Sequence, residues 1–443
     1  MHWLFAGLLA AGIALRIVTQ LAYRPALLYQ DSIWYLENAA DLVPMDRKPA
    51  GYSAFLNLLP IDSTLAVVPA VHHLMGLAAA GIVYALLLRL GVVRWAAALA
   101  TAPLLLDAFQ LLIEQHVLSE ALFELLLASL CAVLLWKRPL TPGAAAAAGL
   151  LIAFAALTRV IALVMIAPAL VAVLTTHARP SRPVVALALV AGFLVPLFGY
   201  AAWYDSRNGG YALAGQDGRF LYARVAPFVE CDEFEVPPVE RPLCPLLPVS
   251  ERPTPQEFAW YPKSPWFRIK DESARDALGA SFAKRAIRNQ PFDYAEAVAG
   301  SVLQGFAFHR DTPGRRVPFE DTWTFQASYP KPAQFDPVIR AHGGTAGTVQ
   351  PELSAFLRTY QDVVFTPGPL AALGLLVGLT AAAGLGRAKD SPLRGPAFLL
   401  SATAFVLVFA PAASHHLSPR YVLPTLVLLP PALVVGLTAM LRR

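Results

Sequence analysis

An acidic and aromatic stretch follows the first apolar segment of the chain, with the sequence Tyr29-Gln30-Asp31-Ser32-Ile33-Trp34-Tyr35. A second polar stretch, Arg47-Lys48-Pro49-Ala50-Gly51-Tyr52, comes shortly after it. Aromatic rings pack against the apolar faces of sugars, and a carboxylate among them can accept a proton from a reacting hydroxyl. Asp31 is therefore predicted to be a functional residue, with capping of the helix that begins near Ile33 as the alternative.

Further ionisable residues lie near the ends of later apolar segments, namely Glu114, His116, Glu120, Arg159, His415, His416 and Arg420. An ionisable residue at a membrane edge is a functional candidate by default. Arg159 and Arg420 are interpreted as phosphate-binding residues, because the guanidinium fork matches phosphate oxygens; the alternative is that both snorkel to the membrane surface. Lys48 is a second-rank candidate for the same role.

Several of these residues have a structural alternative. Glu120 is equally compatible with catalysis and with structural pairing, and Glu124 lies four residues further on the same helix face. Asp107 is predicted to form a structural ion pair with Arg16 inside the bundle. The adjacent His415 and His416 diverge on either a helix or a strand, so one metal ion is not expected to take both.

The composition is that of a membrane protein. The chain has 443 residues, of which 56% are hydrophobic and 15% are charged, whereas soluble domains are about 25% charged. The net charge of +5 does not indicate a nucleic-acid partner, because each short loop on one side of the predicted spans is basic, which is a signal of membrane topology.

The hydrophobic pattern predicts about ten transmembrane helices, each near 20 residues long. The predicted spans are 3–22, 66–88, 96–112, 118–136, two within 143–176, 184–203, 367–386, 396–412 and 421–441. The run 143–176 is divided because a central Arg159 facing lipid would be costly. Basic residues are enriched in 89–95, 137–142, 177–183, 387–395 and the C-terminus, which places these pieces in the cytoplasm.

Three regions follow from this topology: an N-terminal membrane module (1–203), an extracytoplasmic segment (204–366) and a C-terminal membrane module (367–443). The middle segment is expected to be partly helical, over 271–289 and 292–308, with irregular structure in 227–265 and loops in 310–350. Cys231 and Cys244 lie in this segment, and a disulfide between them is plausible in an oxidising compartment.

Five stretches resemble the GT-C superfamily of membrane glycosyltransferases, in particular the bacterial branch related to protein O-mannosyltransferases and the lipid A aminoarabinose transferase. They are Asp31-Ser32-Ile33-Trp34-Tyr35-Leu36, Arg47-Lys48-Pro49-Ala50-Gly51-Tyr52, Leu118-Ser119-Glu120, Leu157-Thr158-Arg159 and Ser418-Pro419-Arg420-Tyr421. Their order extends over most of the chain but not over 204–350. Many relatives have a second acidic residue where this chain has Ser32, so a divalent metal is possible but not favoured, and no cofactor is expected.

The resemblance implies a GT-C type helical bundle that moves a sugar from a polyprenyl-phosphate donor to an acceptor outside a bacterial cytoplasmic membrane. Asp31 would act as the base, with Glu120 as a second catalytic candidate. The lipid phosphate would be bound by Arg420, Arg159 and Lys48, with His415 and His416 as further donor-site candidates. Residues expected to position the sugar are Trp34, Tyr35, Tyr52, Glu114 and His116.

Two other classes of protein fit parts of the pattern. A transporter or flippase of a lipid-linked sugar would also place aromatic rings and arginines near lipid, but such carriers commonly have repeated halves. The large external segment occurs once here. A non-catalytic glycolipid-binding scaffold is the third reading, and the acceptor (protein, lipid or glycan) is left open.

Overall fold

The computed structural model describes residues 2–137, 139–176, 182–308 and 322–441. The protein is mostly helical, with 72% helix and 1% strand, so the all-α class is confirmed. Several basic residues of the predicted cytoplasmic loops lie outside the described residues, namely Arg138, Arg179, Arg442 and Arg443. The same holds for 309–321, which includes the beginning of the region predicted to form loops.

The N-terminal part of the chain is a series of helices joined by short connections. They are α1 (Trp3–Ala22), α2 (Gln30–Ala40), α3 (Gly51–Asn57), α4 (Val67–Arg89), α5 (Arg94–Leu106), α6 (Ala108–Gln115), α7 (Glu120–Leu135), α8 (Pro142–Thr158), α9 (Ile166–Thr176) and α10 (Arg182–Asn208). A two-residue strand β1 (Tyr23–Arg24) follows α1. The polar region after the first span therefore folds into α2 and α3.

The external segment and the C-terminal part continue the series. Their elements are α11 (Asp217–Val225), α12 (Pro255–Trp260), α13 (Glu272–Asn289), α14 (Pro291–Gln304), α15 (Pro332–Ala341), β2 (Thr348–Val349), α16 (Pro351–Val363), α17 (Gly368–Ala383), α18 (Arg394–Ser414), α19 (Pro419–Val422) and α20 (Leu429–Leu441). Strand β2 pairs antiparallel with β1, which fastens the end of the external segment to the end of the first helix.

Four helices of the described part are long and apolar enough to cross a membrane, namely α1, α4, α10 and α18. The number rises to 7 when three bent pairs are each counted as one span: α5 with α6, α16 with α17, and 419–427 with α20. Helices α7 and α8 are apolar but have only 16 and 17 residues. The count of about ten spans stays a prediction.

The long apolar run 143–176 is interrupted at Arg159, as predicted. Helix α8 ends at Thr158, and a 3-10 helix, Val160–Met165, leads into α9. Arg159 has extended backbone angles, so its side chain leaves the helix axis at the break. The lone arginine in the run is thereby removed from the lipid-facing surface.

Helices α8 and α10 pack closely because glycines face each other across their contact. A Cβ at Gly149 would lie 2.1 Å from the carbonyl oxygen of Leu189, and one at Gly192 would lie 2.3 Å from that of Ala146. Small residues allow this approach of two backbones inside a membrane bundle. The contact holds α8 firmly, and with it the position of Arg159 at its end.

The external segment has a hydrophobic core of its own, built from α11, α12 and α13, with Tyr222, Trp266 and Phe282 among its buried residues. Cys231 and Cys244 form a disulfide at its edge. Helices α13 and α14 agree with the helices predicted there, although α14 ends at Gln304. The prediction of loops throughout 310–350 is wrong at α15, whose Phe335 and Ile339 are buried at helical spacing.

Candidate active site

Helix α2 begins with a reciprocal cap that fixes the position of Asp31. The Tyr29 amide donates to the Ser32 hydroxyl oxygen (2.9 Å), and that hydroxyl donates to the carbonyl oxygen of Val117 (2.8 Å). Tyr29 is the N-cap residue, so the alternative that Asp31 caps the helix is wrong. Asp31 lies in the first turn, where the helix dipole favours a carboxylate. The hydrogen bond of the buried Ser32 thereby connects α2 to the short segment between α6 and α7 that contains Val117.

Five charged side chains from five separate segments meet at one point. Asp31 Oδ2 accepts hydrogen bonds from Lys48 Nζ (2.6 Å) and Arg420 Nη1 (2.9 Å). Arg420 Nε also donates to Glu120 Oε1, and Arg159 Nη1 donates to the same oxygen (2.5 Å). We call these five residues the ion network. It carries one net positive charge and lies where α2, α7, α8 and α19 begin or end.

The network is shielded but still reachable. Glu120 is fully buried, Arg420 and Arg159 are about one-tenth exposed, and Asp31 and Lys48 are 13% and 24% exposed. The Asp31–Lys48 edge therefore faces the opening, whereas Glu120 forms the floor. One oxygen of Glu120, Oε2, is buried without a hydrogen-bond partner in the protein.

The charges of Asp31 and Lys48 stabilise each other. Burial alone would raise the pKa of Asp31, but Lys48 and Arg420 outweigh it and hold this pKa well below its usual range. Burial would lower the pKa of Lys48, yet Asp31 raises it above the ordinary lysine value. Both groups are ionised at neutral pH, so Asp31 is a carboxylate that cannot readily take a proton while both cations hold it.

Aromatic rings cover the cations of the network. The Arg420 guanidinium carbon is 5.5 Å from the Tyr29 ring centroid and 5.4 Å from that of Trp323. Lys48 Nζ lies 5.1 Å from the Tyr35 ring. These cation–π contacts stabilise positive charge in a place with little water. They also line the centre with flat apolar surfaces.

The remaining predicted aromatic residues divide into two groups. Tyr35 and Tyr52 are buried, their rings meet edge to face at 4.7 Å, and the Tyr52 hydroxyl is 3.1 Å from His72 Nε2. They form the wall behind Lys48. Trp34 is half-buried, with the Arg47 guanidinium carbon 4.4 Å from its ring centroid, so it borders the opening.

Glu114 does not belong to the ion network, because its carboxylate is paired with Arg16. Arg16 Nε and Nη2 donate to its two carboxylate oxygens at 2.8 and 2.7 Å. The other Arg16 donors bond to backbone carbonyls of α1 and α5, so all five are used. The predicted pairing of Arg16 with Asp107 is therefore wrong. Asp107 instead caps α6 through the Phe109 amide and accepts from the Thr366 amide.

The three predicted histidines lie around the network at different depths. His116 is buried, and its Nδ1 is 2.8 Å from the carbonyl oxygen of Leu112. The rings of His415 and His416 are 4.0 Å apart between centroids, and Phe220 contacts His415 at the same separation. Among the described residues there is no group of three or more His, Cys, Asp and Glu side chains that could hold a metal ion.

Sequence reasoning missed Trp323 and Tyr421 as residues of this centre. Trp323 contacts Arg420, but it comes from a glycine- and proline-rich region without periodicity. Tyr421 covers the Arg159 guanidinium at 5.0 Å; its position next to Arg420, at the start of an apolar run, was an available signal.

Comparisons of the chain with protein-family models, curated proteins and solved structures return no match. The functional assignment therefore depends on the geometry and chemistry of the ion network.

Proposed function

We propose that this protein is a glycosyltransferase of the GT-C type, which moves a sugar from a polyprenyl-phosphate donor to an acceptor hydroxyl outside the cytoplasmic membrane. The observation that carries the proposal is the ion network, in which one carboxylate is shared by Lys48 and Arg420. Two cations converging on one oxyanion are the arrangement that a phosphate ester requires. The aromatic surfaces beside them suit a sugar ring.

The donor phosphate would bind to Arg420 and Lys48, with Arg159 nearby. Its oxygens would replace the Asp31 carboxylate as acceptors of their hydrogen bonds. Glu120 keeps Arg420 and Arg159 oriented from below, so these cations do not have to reorganise when the phosphate arrives. Such prearranged charge is the main source of stabilisation for a departing anion.

Donor binding would also activate the base. In the free protein, Asp31 is held by two cations, which makes it a weak proton acceptor. Once phosphate takes over those contacts, the stabilisation of the carboxylate falls and its pKa rises toward the ordinary value. The base would thus be released only when the leaving group is in place, which limits unproductive attack by water.

The chemical step would be a single displacement with inversion. Asp31 takes the proton of the acceptor hydroxyl as its oxygen forms a bond to the anomeric carbon. The bond from that carbon to the phosphate oxygen breaks, and the electron pair leaves with the polyprenyl phosphate, which Arg420 and Lys48 neutralise. No cofactor is consumed, because the phosphate ester supplies the leaving group.

A groove beside Arg420 fits the lipid part of this donor. It is lined by residues of the α14 end, the α16–α17 connection and the α19 region, including Gln304, Gly305, Thr366, Leu417, Ser418 and Leu426. Arg420 directly follows Ser418 and Pro419, which both line the groove. Its lining is largely apolar, as a polyprenyl chain requires.

The proposed topology has about ten spans and an outward-facing ion network. It is supported by the basic residues of the short loops on the opposite side. A helix of 16 residues such as α7 is about 24 Å long at 1.5 Å per residue. It can cross a bilayer only where the core is thin or covered by protein, which fits a network recessed below the outer surface.

The test is to incubate membranes containing the protein with a panel of labelled polyprenyl-phosphate sugars and to measure released polyprenyl phosphate and labelled product. Release that depends on Asp31 supports the transferase. A donor that crosses the membrane unchanged would identify a carrier instead. A donor that binds without crossing or reacting would identify a glycolipid-binding scaffold.

A further inference from the structure

A second buried cation lies outside the ion network. Arg224 on α11 is only 4% exposed; its Nη1 donates to the Ser301 hydroxyl oxygen (2.9 Å), and its Nε is buried without a hydrogen-bond partner. No carboxylate of the described residues forms a salt bridge with it. A buried guanidinium without a counter-ion is costly, so an anionic group would be stabilised at this place.

The surroundings of Arg224 are built from three elements. Phe220 lies four residues earlier on the same face of α11, and its ring packs on His415 just after α18. Tyr294 on α14 donates its hydroxyl to the carbonyl oxygen of Ala413 (2.9 Å), which joins α14 to the end of α18. His415 Nδ1 is also buried without a hydrogen-bond partner.

Burial and neighbouring charges lower the pKa values of both Arg224 and His415. Burial lowers the pKa of Arg224 to about 10, partly offset by Tyr294. Burial and the nearby His416, Lys48 and Arg224 all lower the pKa of His415, so this ring is neutral at physiological pH. Lys48 of the ion network and Arg224 therefore both act on the His415 ring.

We infer that Arg224, Ser301 and His415 form a second anion site, which binds a phosphate or carboxylate group of one of the two substrates. The inference deepens the proposed transferase, since the sugar phosphate would occupy Arg420 and Lys48 at the same time. An oxyanion at this site would accept from Arg224 Nε, and from the protonated nitrogen of the His415 ring when that nitrogen is Nδ1. Ser301 positions the guanidinium, because its hydroxyl accepts from Arg224 Nη1 and donates to the carbonyl oxygen of Ala297 (3.0 Å).

The outer surface next to this site is also basic and aromatic. The Arg219 guanidinium carbon is 4.1 Å from the Trp260 ring centroid, and Trp260 lies 5.9 Å from Phe220 and 6.4 Å from Trp34. Arg47 covers the other side of Trp34. A negatively charged glycan or lipid headgroup approaching the network would meet these residues first.

The test measures binding of inorganic phosphate to the purified full-length protein in nanodiscs, from the concentration dependence of ³¹P line broadening. The wild type is expected to bind at two sites. Arg224→Gln should weaken one of them at least tenfold, and Ser301→Ala should weaken the same site two- to threefold. Arg288→Gln removes the same charge from an exposed position of α13 and should leave binding unchanged. Unaltered phosphate binding in both Arg224→Gln and Ser301→Ala overturns the inference.

Two further variants keep this test independent of folding and of the proposed function. Arg224→Lys keeps the positive charge and should retain binding better than Arg224→Gln. Lys48→Gln should weaken only the other site; if it has no effect while Arg224→Gln does, the donor site is wrong and the second anion site stands. If Lys48→Gln weakens phosphate binding and Arg224→Gln does not, the second anion site is wrong and the donor site stands.

Competition with lipid phosphates identifies the substrate that carries the second group. If polyprenyl monophosphate displaces only the phosphate lost in Lys48→Gln, the Arg224 site is left for an anionic acceptor. If polyprenyl diphosphate displaces both, the site binds the second phosphate of the donor.

Discussion

The substitution Asp31→Asn should change donor binding and sugar transfer in opposite directions. In the proposed mechanism, Asp31 competes with the donor phosphate for Lys48 and Arg420, because both cations donate to one Asp31 carboxylate oxygen. Asparagine keeps the size of the side chain but removes its charge, so the two cations become available to phosphate. At the same time, the protein loses the group that we propose as the general base.

The structure sets the scale of both effects. Asp31 is 13% exposed and Lys48 24%, so their contact is worth more than a surface pair but less than a fully buried one. Removing a competitor worth about 1–2 kcal/mol should tighten donor binding roughly 5- to 30-fold. Loss of a general base should slow transfer by about 10² to 10⁴. The folded state should lose only about 1–3 kcal/mol, since Arg420 keeps Glu120.

The assay combines equilibrium binding of a labelled polyprenyl-phosphate sugar with single-turnover release of polyprenyl phosphate by the same preparation. Asp41→Asn is the matched control, because Asp41 is an exposed carboxylate at the end of the same helix. It should leave both quantities unchanged. Donor binding that is weaker in Asp31→Asn, or transfer that stays within threefold of wild type, would refute the proposed role of this residue.

Three other substitutions test the structure around the network. Gly76→Ala should lower the melting temperature by several degrees, because its Cβ would lie 1.9 Å from Glu114 Oε1. This clash disrupts the buried Arg16–Glu114 ion pair, and loss of one partner of such a pair costs about 3–5 kcal/mol. The control is Gly81→Ala on the same helix, whose Cβ meets nothing within 4 Å and which should leave the melting temperature unchanged. Arg420→Lys should weaken donor binding at least tenfold with a normal melt, since an ammonium group cannot bridge two carboxylates as the fork does; undiminished binding would contradict the phosphate role. Replacing both cysteines of the external disulfide with serine should destabilise that segment by about 2–4 kcal/mol, measured by limited proteolysis, while an unchanged digestion rate would show that its core suffices.

Much of the membrane part followed from the sequence, because apolar periodicity and charge are local signals. Helix α1 has the predicted bounds, and the interruption at Arg159 followed from the cost of placing a lone charge in lipid. The meeting of Asp31 and Arg420 was also expected. Both lie at ends of apolar segments, and the predicted topology puts these ends on one side of the membrane, which leaves few places for them.

The wrong prediction of an Arg16–Asp107 pair and the failure to predict the buried Arg224 both arise because local sequence patterns do not show how helices bend and pack. The axes of the consecutive helices α5 and α6 differ in direction by 47°. This bend aims Glu114 at Arg16 and uses Asp107 as a helix cap. Arg224 was overlooked because α11 has the composition of a surface helix; its burial is caused by α14 and the end of α18, which no local pattern encodes.

Asp31 and Arg420 of the ion network are 389 positions apart in the chain. During synthesis, Asp31 is made directly after α1, whereas Arg420 is made only after α18. A nascent chain can therefore form most of its helices before Arg420 joins the Asp31–Lys48 pair to the Glu120–Arg159 pair. Completion of the ion network therefore waits for α19, and a chain truncated before it would lack the guanidinium that contacts both Asp31 and Glu120.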